Sequence, residues 1–261
     1  MTVQQILDYV NSLAPAGMKY DWDNVGLLCG RREQPVKKIL VALDPFLSVC
    51  QEAVELGADL IVTHHPLIFR APKSITTDDT VGQSILLLAS HGISAINAHT
   101  NLDCAPGGVN DVLAETLGLT AAEVLNPMGT DEEGRPYGLL RSGLVDEQPL
   151  EEFLAVVKSR LGAPVLRYVN GNRPVHKVAV GGGACADGYL EALDAGCDTL
   201  VTADIKYNQF WDAHDLGLNL IDAGHFYTEN PVCAVLAKKL QKQFPQVQVL
   251  LSAHRDCMAF F

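Results

Sequence analysis

Two internally repeated α/β units with mostly parallel sheets are what this sequence predicts, and three observations carry the prediction. Apolar runs of strand length alternate with amphipathic runs of helix length, the spacing of strand–helix–strand units. Some of the strand-like runs, Lys38-Ile-Leu-Val-Ala-Leu43 first among them, are almost unbroken in apolar character, as strands covered on both faces must be. The third observation is a repeat. Val36-Lys-Lys-Ile-Leu-Val-Ala-Leu43 matches Val175-His-Lys-Val-Ala-Val-Gly-Gly182, and Ala53-Val-Glu-Leu-Gly-Ala-Asp-Leu-Ile-Val-Thr63 matches Ala192-Leu-Asp-Ala-Gly-Cys-Asp-Thr-Leu-Val-Thr202. His91-Gly-Ile-Ser-Ala-Ile-Asn97 likewise matches Leu216-Gly-Leu-Asn-Leu-Ile-Asp222, and both copies keep Gly-x-Asp before the middle strand. Copies in register over this length indicate a duplicated unit.

In chain order, residues 3–13 set Val3, Ile6, Leu7, Val10 and Leu13 at helical spacing, and Ala14-Pro15-Ala-Gly17 ends that helix. Tyr20-Asp-Trp-Asp-Asn-Val-Gly-Leu27 is an acidic and aromatic loop, read either as a turn with a packed Trp or as the lining of a site. A strand at 38–43, a helix over 47–57 closed by Gly57, and a strand at Leu60-Ile-Val-Thr63 follow, the last running into His64-His65-Pro66. A helix over 80–91 leads to a strand at 93–97 and on to His99-Thr-Asn-Leu-Asp103. Pro106-Gly-Gly108 then turns the chain into a helix at 109–117 that stops at Gly118.

Residues 126–149 are richer in Gly, Pro and acidic residues and hold the best internal boundary. Domains are therefore expected over 1–125 and 126–261, with the segment from about 222 to 261 packing back on the first. A helix (150–161), a strand (164–169) and a turn (171–174) precede the second copy of the repeat. After it, Asn230 is expected to cap a helix that starts at Pro231 and runs to Phe244. Val247-Gln-Val-Leu-Leu251 reads as a final strand, leaving His254-Arg-Asp256 at its end.

Composition narrows the class. A 261-residue chain with 48% hydrophobic residues can bury a large core, and no apolar run approaches the roughly 20 residues of a membrane span. The N-terminus lacks the basic start and apolar core of a secretory signal, and seven cysteines without Cys-x-x-Cys spacing indicate neither a disulfide framework nor a zinc ribbon. A reducing cytoplasm is the expected compartment. The net charge of −12 and the lack of clustered Lys and Arg argue against nucleic acid as a main partner.

The chemistry gathers at strand ends. Within a strand, adjacent side chains point to opposite faces, so His64 and His65 share a site only because the strand stops there. Four ligand-rich points fall at C-terminal ends of predicted strands, where open α/β sheets bind ligands: His64-His65, His99 with Asp103, Asp204, and His225 with Glu229. Each has a plain alternative. A lone histidine after a strand serves as a hydrogen-bonded loop residue, Asp103 and Glu229 could sit at helix N-termini, and Asp204 could be a turn residue. Together, imidazoles and carboxylates suit zinc, iron or manganese, and five ligands match two divalent ions bridged by a carboxylate and a water. There is no Walker loop and no Gly-x-Ser-x-Gly elbow, and Gly181-Gly-Gly183 falls short of the dinucleotide fingerprint.

Trp22-Asp-Asn-Val-Gly-Leu27, Thr63-His-His-Pro-Leu67, His99-Thr-Asn-Leu-Asp103 and Asp222-Ala-Gly-His225 with Glu229 closely resemble the dinuclear-metal hexamer family described as GTP cyclohydrolase I type 2-like or Ngg-one-interacting factor-like. The resemblance spans nearly the whole chain. It implies two interlinked α/β domains, a toroidal homohexamer with sites facing an inner cavity, and a dinuclear centre. It carries the metal ligands onto His64, His65, Asp103, His225 and Glu229, with Asp103 as the bridge. The chain is too short for the inserted domain of longer relatives, so the compact form is expected. The activity implied is that of a metal-dependent hydrolase resembling GTP cyclohydrolase, acting on a small-molecule substrate such as a nucleotide or purine-like compound. His99 is the expected proton-transfer residue, and Asp204, Lys206, Tyr207 and His254 are further candidates for acid–base work or substrate contact. The competing reading is a scaffold or interaction protein whose metal centre is structural or regulatory, closed by protein ligands rather than open to solvent.

Overall fold

The computed structural model describes residues 1–260. Helix α1 (Val3–Leu13) opens the chain, its first turn closed by a reciprocal cap in which Gln5 N–H donates to Thr2 Oγ1 and Thr2 N–H donates to Gln5 Oε1. There follow β1 (Gly26–Cys29), β2 (Lys38–Ala42), α2 (Leu47–Leu56), β3 (Leu60–Thr63), α3 (Thr80–Ser90) and β4 (Ser94–Asn97). The middle of the chain holds α4 (Thr100–Cys104), α5 (Val109–Leu117), β5 (Thr120–Leu125), a small hairpin of β6 (Gly129–Thr130) and β7 (Pro136–Tyr137), and the long strand β8 (Leu140–Gln148). The remainder is α6 (Leu150–Leu161), β9 (Arg167–Val169), β10 (Val175–Val180), α7 (Tyr189–Asp194), β11 (Thr199–Thr202), α8 (Tyr207–Asp215), β12 (Asn219–Asp222), α9 (His225–Glu229), α10 (Pro231–Gln243) and β13 (Gln248–Leu251).

These elements form two compact units, one of Met1–Leu102 with Cys233–Arg255 and one of Asp103–Val232 with the segment from Asp256 on. The first unit is built on a five-stranded sheet in the order β1-β4-β3-β2-β13, parallel except for β1. Its inner strands β2, β3 and β4 are buried on both faces, while β1 and β13 at the edges are only partly so, and α2 and α3 cover Leu40, Ile61 and Ala95 on one face. Burying a side chain such as Ile61 is worth ~1.5–3 kcal/mol.

The second unit is built on a six-stranded sheet, β5-β8-β10-β11-β12-β9, with a parallel centre of β10, β11 and β12 and antiparallel strands on either side. Alternation along β11 and β12 is visible in the packing. Val201 and Ile221 join Phe153 and Val157 of α6 on one face, while Leu200 and Leu220 join Ala192 and Ala213 of α7 and α8 on the other.

The repeat survives down to single hydrogen bonds. Ile39 pairs with Leu60 as Val178 pairs with Thr199, and Leu60 pairs with Ser94 as Thr199 pairs with Asn219. The aspartate of each Gly-x-Asp explains why that motif is kept. Asp59 accepts from the backbone N–H groups of Lys37 and Lys38 at 2.8 and 2.9 Å, and Asp198 from those of His176 and Lys177 at 3.0 and 2.7 Å. Each lysine in turn caps the C-terminal end of the helix that follows its strand, Lys38 Nζ on Leu56 O of α2 and Lys177 Nζ on Ala195 O at the end of α7. Correspondence also runs past the strands. The five-residue helices α4 and α9 occupy equivalent places after β4 and β12.

Several elements depart from the sequence expectation. The stretch expected to divide the chain at 125/126 contains β8, which pairs with β5 on its other side at Val124↔Arg141 and Leu125↔Leu140. The units therefore change at 102/103, 232/233 and 255/256, and β5 belongs with the second sheet. Of the expected 222–261 return, Cys233–Arg255 joins the first unit, with β13 alongside β2, and Asp222–Val232 stays in the second. The acidic loop ends in a strand, β1. Asn230 has a helical backbone (φ −55°, ψ −29°) rather than the extended one of an N-cap, because α9 runs almost directly into α10. No helix among the described residues is long and apolar enough to cross a membrane.

Candidate metal-binding site

In the first unit, the C-terminal ends of β3 and β4 carry the histidine cluster. Strand β3 stops because Thr63 Oγ1 donates to His65 O at 2.7 Å, which turns the chain at the two histidines before Pro66. His64 is buried and His65 partly so, and with His99 their ring centroids stand 4.9, 5.3 and 5.5 Å apart. One ring nitrogen from each of these three lies within 4.8 Å of the others, close enough to share an ion.

Each imidazole is oriented through Nδ1. His64 Nδ1 is 2.9 Å from Ala98 O, His65 Nδ1 2.6 Å from Asp44 Oδ1, and His99 Nδ1 2.7 Å from Asp23 Oδ1. A backbone carbonyl or carboxylate on Nδ1 takes the ring proton there and presents Nε2 as the ligand atom, the usual support of a metal-binding histidine. Asp23 is the most constrained of these partners. Its Oδ2 also accepts from Thr100 N–H at 3.0 Å and Thr100 Oγ1 at 2.5 Å. Burial opposes its charge, but the bonds from His99 and Thr100 outweigh burial and hold the carboxyl far below the ordinary carboxylate range. His254, a sequence candidate, lies one layer out, its Nε2 3.7 Å from Asp44 Oδ2.

In the second unit the corresponding strand ends carry His225, Glu229 and Asp204. His225 and Glu229 are four residues apart on α9, so they share a face, with His225 Nε2 3.0 Å from Glu229 Oε2. Asp204 accepts from His225 Nδ1 at 2.7 Å and is held there by a left-handed backbone (φ +53°). Burial lowers the pKa of His225, but hydrogen bonds to Asp204 and Glu229 overcome it and raise the value to about 11. A divalent cation at Nε2 would replace that proton and meet the same carboxylates.

The glycine run before α7 makes room for this pair. Gly183 sits at φ +62°, and a Cβ there would collide with Glu229 Oε1 and stand 3.0 Å from His225 Nε2. Gly182 N–H donates to Asn110 Oδ1 at 2.7 Å and Gly183 N–H to Thr228 Oγ1 at 3.0 Å, which closes the loop around α9. Buried Asp103, on α4, is fixed through its carbonyl, which accepts from Asn110 Nδ2 at 3.2 Å. Imidazole Nε2 atoms with buried carboxylates form a donor set fitted to zinc, iron or manganese, and Gly183 leaves the room that the Glu229 carboxylate occupies beside His225.

The remaining candidates fall elsewhere. Lys206 N–H donates to Gln209 Oε1 at 2.8 Å at the start of α8, and Tyr207 is exposed along a cavity of about 300 Å³ that Arg167, Phe210 and Trp211 also line. Asp23 and Asp44 were missed as site residues by sequence reasoning. The signal was there for Asp44, a carboxylate at the C-terminal end of β2, and for Asp23 only in its place beside Trp22.

Fold and ligand chemistry together define an α/β protein with candidate metal-binding clusters at the strand ends. The sequence profile of Duf34/NIF3 (NGG1p interacting factor 3) matches residues 1–257, and the chain belongs to that family. It is 37% identical over 244 residues to a protein of Clostridium perfringens called "GTP cyclohydrolase 1 type 2 homolog", covering 93% of this chain and 92% of that one. A protein of the same name from Nostoc is 38% identical over 229 residues, with 86% and 85% covered. Among solved structures, the Bacillus cereus protein related to NIF3 superimposes with a TM-score of 0.94 at 27% identity, over 100% of this chain and 99% of that one.

Proposed function

We propose that this protein is a dinuclear metal-dependent hydrolase of the GTP cyclohydrolase-like kind, acting on a nucleotide or purine-like substrate. His64, His65, Asp103, His225 and Glu229 are the residues that would hold two divalent ions, zinc, iron or manganese. The observation that carries this reading is the fixing of Nδ1 of His64, His65 and His225 by Ala98 O, Asp44 and Asp204, which presents Nε2 of each as the ligand atom. Asp103 follows His99 by four residues in the sequence and is carried by α4. The printed names of the relatives point to the same chemistry.

When bound, such a pair of ions supplies a water-derived nucleophile at neutral pH and polarises the attacked group. The chain's own residues do the rest. Asp44, Asp204 and Ala98 O orient the ligand rings, and Asp23 holds Nδ1 of His99 so that Nε2 is the atom that takes or gives the substrate proton. We place the protein in the cytoplasm, in keeping with seven free cysteines. The assembly we propose is the family's toroidal homohexamer.

The test is turnover of the metal-reconstituted protein with GTP, read as formate release and compared with a His65→Ala variant checked for folding and assembly. Turnover lost in the variant is the expected result. Turnover unchanged in His65→Ala would reject the metal mechanism.

A further inference from the structure

Beside the histidine cluster, within the first unit, stands a group of aromatic rings that neither the core nor the metal chemistry uses. Trp22 is 60% exposed and Phe69 49% exposed. Scattered exposed rings are ordinary on protein surfaces, but these are arranged. Tyr20 stacks on Trp22 at 5.8 Å with planes 13° apart, and Phe69 meets Trp22 edge-on at 5.8 Å. The centroids of Trp22 and Phe69 are each 6.2 Å from that of His99.

The two loops that carry these rings are tied to each other and to the sheet. Asn24 Nδ2 donates to Ile68 O at 2.6 Å, and Asn97 Nδ2, at the end of β4, donates to Asn24 O at 3.1 Å. Asp23, between Trp22 and Asn24, anchors the same loop to His99 and Thr100. The loops are therefore fixed while Trp22 and Phe69 stay about half or more exposed, the opposite of what packing alone would select. With Tyr20 stacked on the indole, Trp22 still leaves more than half of its surface open to a planar group.

We infer that Trp22, with Phe69 at its edge, is the ring-recognition platform of the site, stacking on a planar heteroaromatic ring and placing it beside Nε2 of His99. This deepens the hydrolase reading and rests on it. It makes the ring, not the sugar or the phosphates, the recognised part of the substrate, and it excludes ring-free phosphoesters and aliphatic peptides. Trp22 is a specificity-determining residue in this account, and Asn24 is the positioning residue that locks the platform.

Fluorescence reads the platform directly, because the chain has two tryptophans, Trp22 and Trp211. In metal-loaded Trp211→Phe protein, titration with guanosine and GTP is expected to quench Trp22 emission saturably, and ribose 5-phosphate and inorganic triphosphate to leave it unchanged. Guanosine binding, measured by calorimetry, is expected to weaken about tenfold or more in Trp22→Ala, the scale of base–aromatic stacking, and to be largely retained in Trp22→Phe. Equal quenching by ring-bearing and ring-free probes, or unchanged guanosine affinity in Trp22→Ala, would overturn the platform. Metal content of the same samples separates the two failures. A metal-loaded protein that ignores guanosine defeats the platform alone, and a folded protein that takes up no metal defeats the hydrolase reading.

Discussion

The two copies of the repeat share a scaffold and differ at one edge, and the difference is informative position by position. At the end of the first strand the copies place Asp44 and Gly183. At the end of the second they place His64-His65 and Ala203-Asp204, and before the short helix His99 and Gly224. In the first copy the carboxylate comes from the first strand and the histidine from the second, as Asp44 and His65. In the second copy the middle strand supplies the carboxylate, Asp204, and the short helix supplies the histidine, His225. The glycine opposite Asp44 is then needed to admit Glu229. The same pairing of carboxylate with Nδ1 has thus been built from different positions on one scaffold. The copies diverge at the edge that carries the candidate metal ligands, and the repeat keeps the parts that hold the sheet together.

Substitutions at the edge should have the largest effects. His65→Ala and Glu229→Ala are expected to remove a proposed ligand from each copy and to lower the metal content of folded protein by about one ion or more per chain, measured by elemental analysis. Retention of the full complement in both would break the proposed division of ligands. Gly183→Ala should come next. A left-handed alanine costs about 1–2 kcal/mol in backbone strain, and its Cβ displaces Glu229. Metal affinity is expected to fall, while the same change at Gly196, one residue past the C-cap of α7 and with open space around it, costs strain alone.

Asp44→Asn and Asp204→Asn sharpen the comparison further. If the two carboxylates do the same work in the two copies, each should weaken metal binding by about 10–100-fold without unfolding the protein, as loss of an orienting partner does elsewhere. A competition titration against a chelator measures this. An effect in one copy and none in the other would show that the equivalence is only geometric. The scaffold pair should matter least to metal. Asp59→Ala and Asp198→Ala each remove a carboxylate that accepts two backbone N–H groups, and should lower stability by about 1.5–3 kcal/mol in urea unfolding. Asp198, the more buried, should fall at the upper end, and folded protein of either variant should keep its metal.

How legible this was in the sequence follows the same division. The parallel strands β2, β3, β11 and β12 could be read from their buried apolar centres, and the repeat set β10, whose run His176 and Lys177 interrupt, in register with β2. Strand β8 was hidden because only its first half is buried, and Asp146 and Glu147 near its end look like linker. Strand β1, four partly buried residues after an acidic loop, gave no alternation to detect. The histidines were visible as motifs, whereas their partners were not. Asp23 and His99 meet across 76 residues and Asp44 and His65 across 21, and nothing local in the chain announces such contacts. Asp204 was visible as a strand-end carboxylate, but its left-handed backbone and its bond to His225 emerge only when β11 and α9 are placed together.

The central claim is that the edge residues of both copies hold two metal ions. Elemental analysis of protein purified without chelators, at known chain concentration, tests it most directly. The account predicts about two transition-metal ions per chain, falling in His65→Ala and in Glu229→Ala. Folded wild-type protein that carries no zinc, iron or manganese, and takes up none when these are supplied, would contradict it.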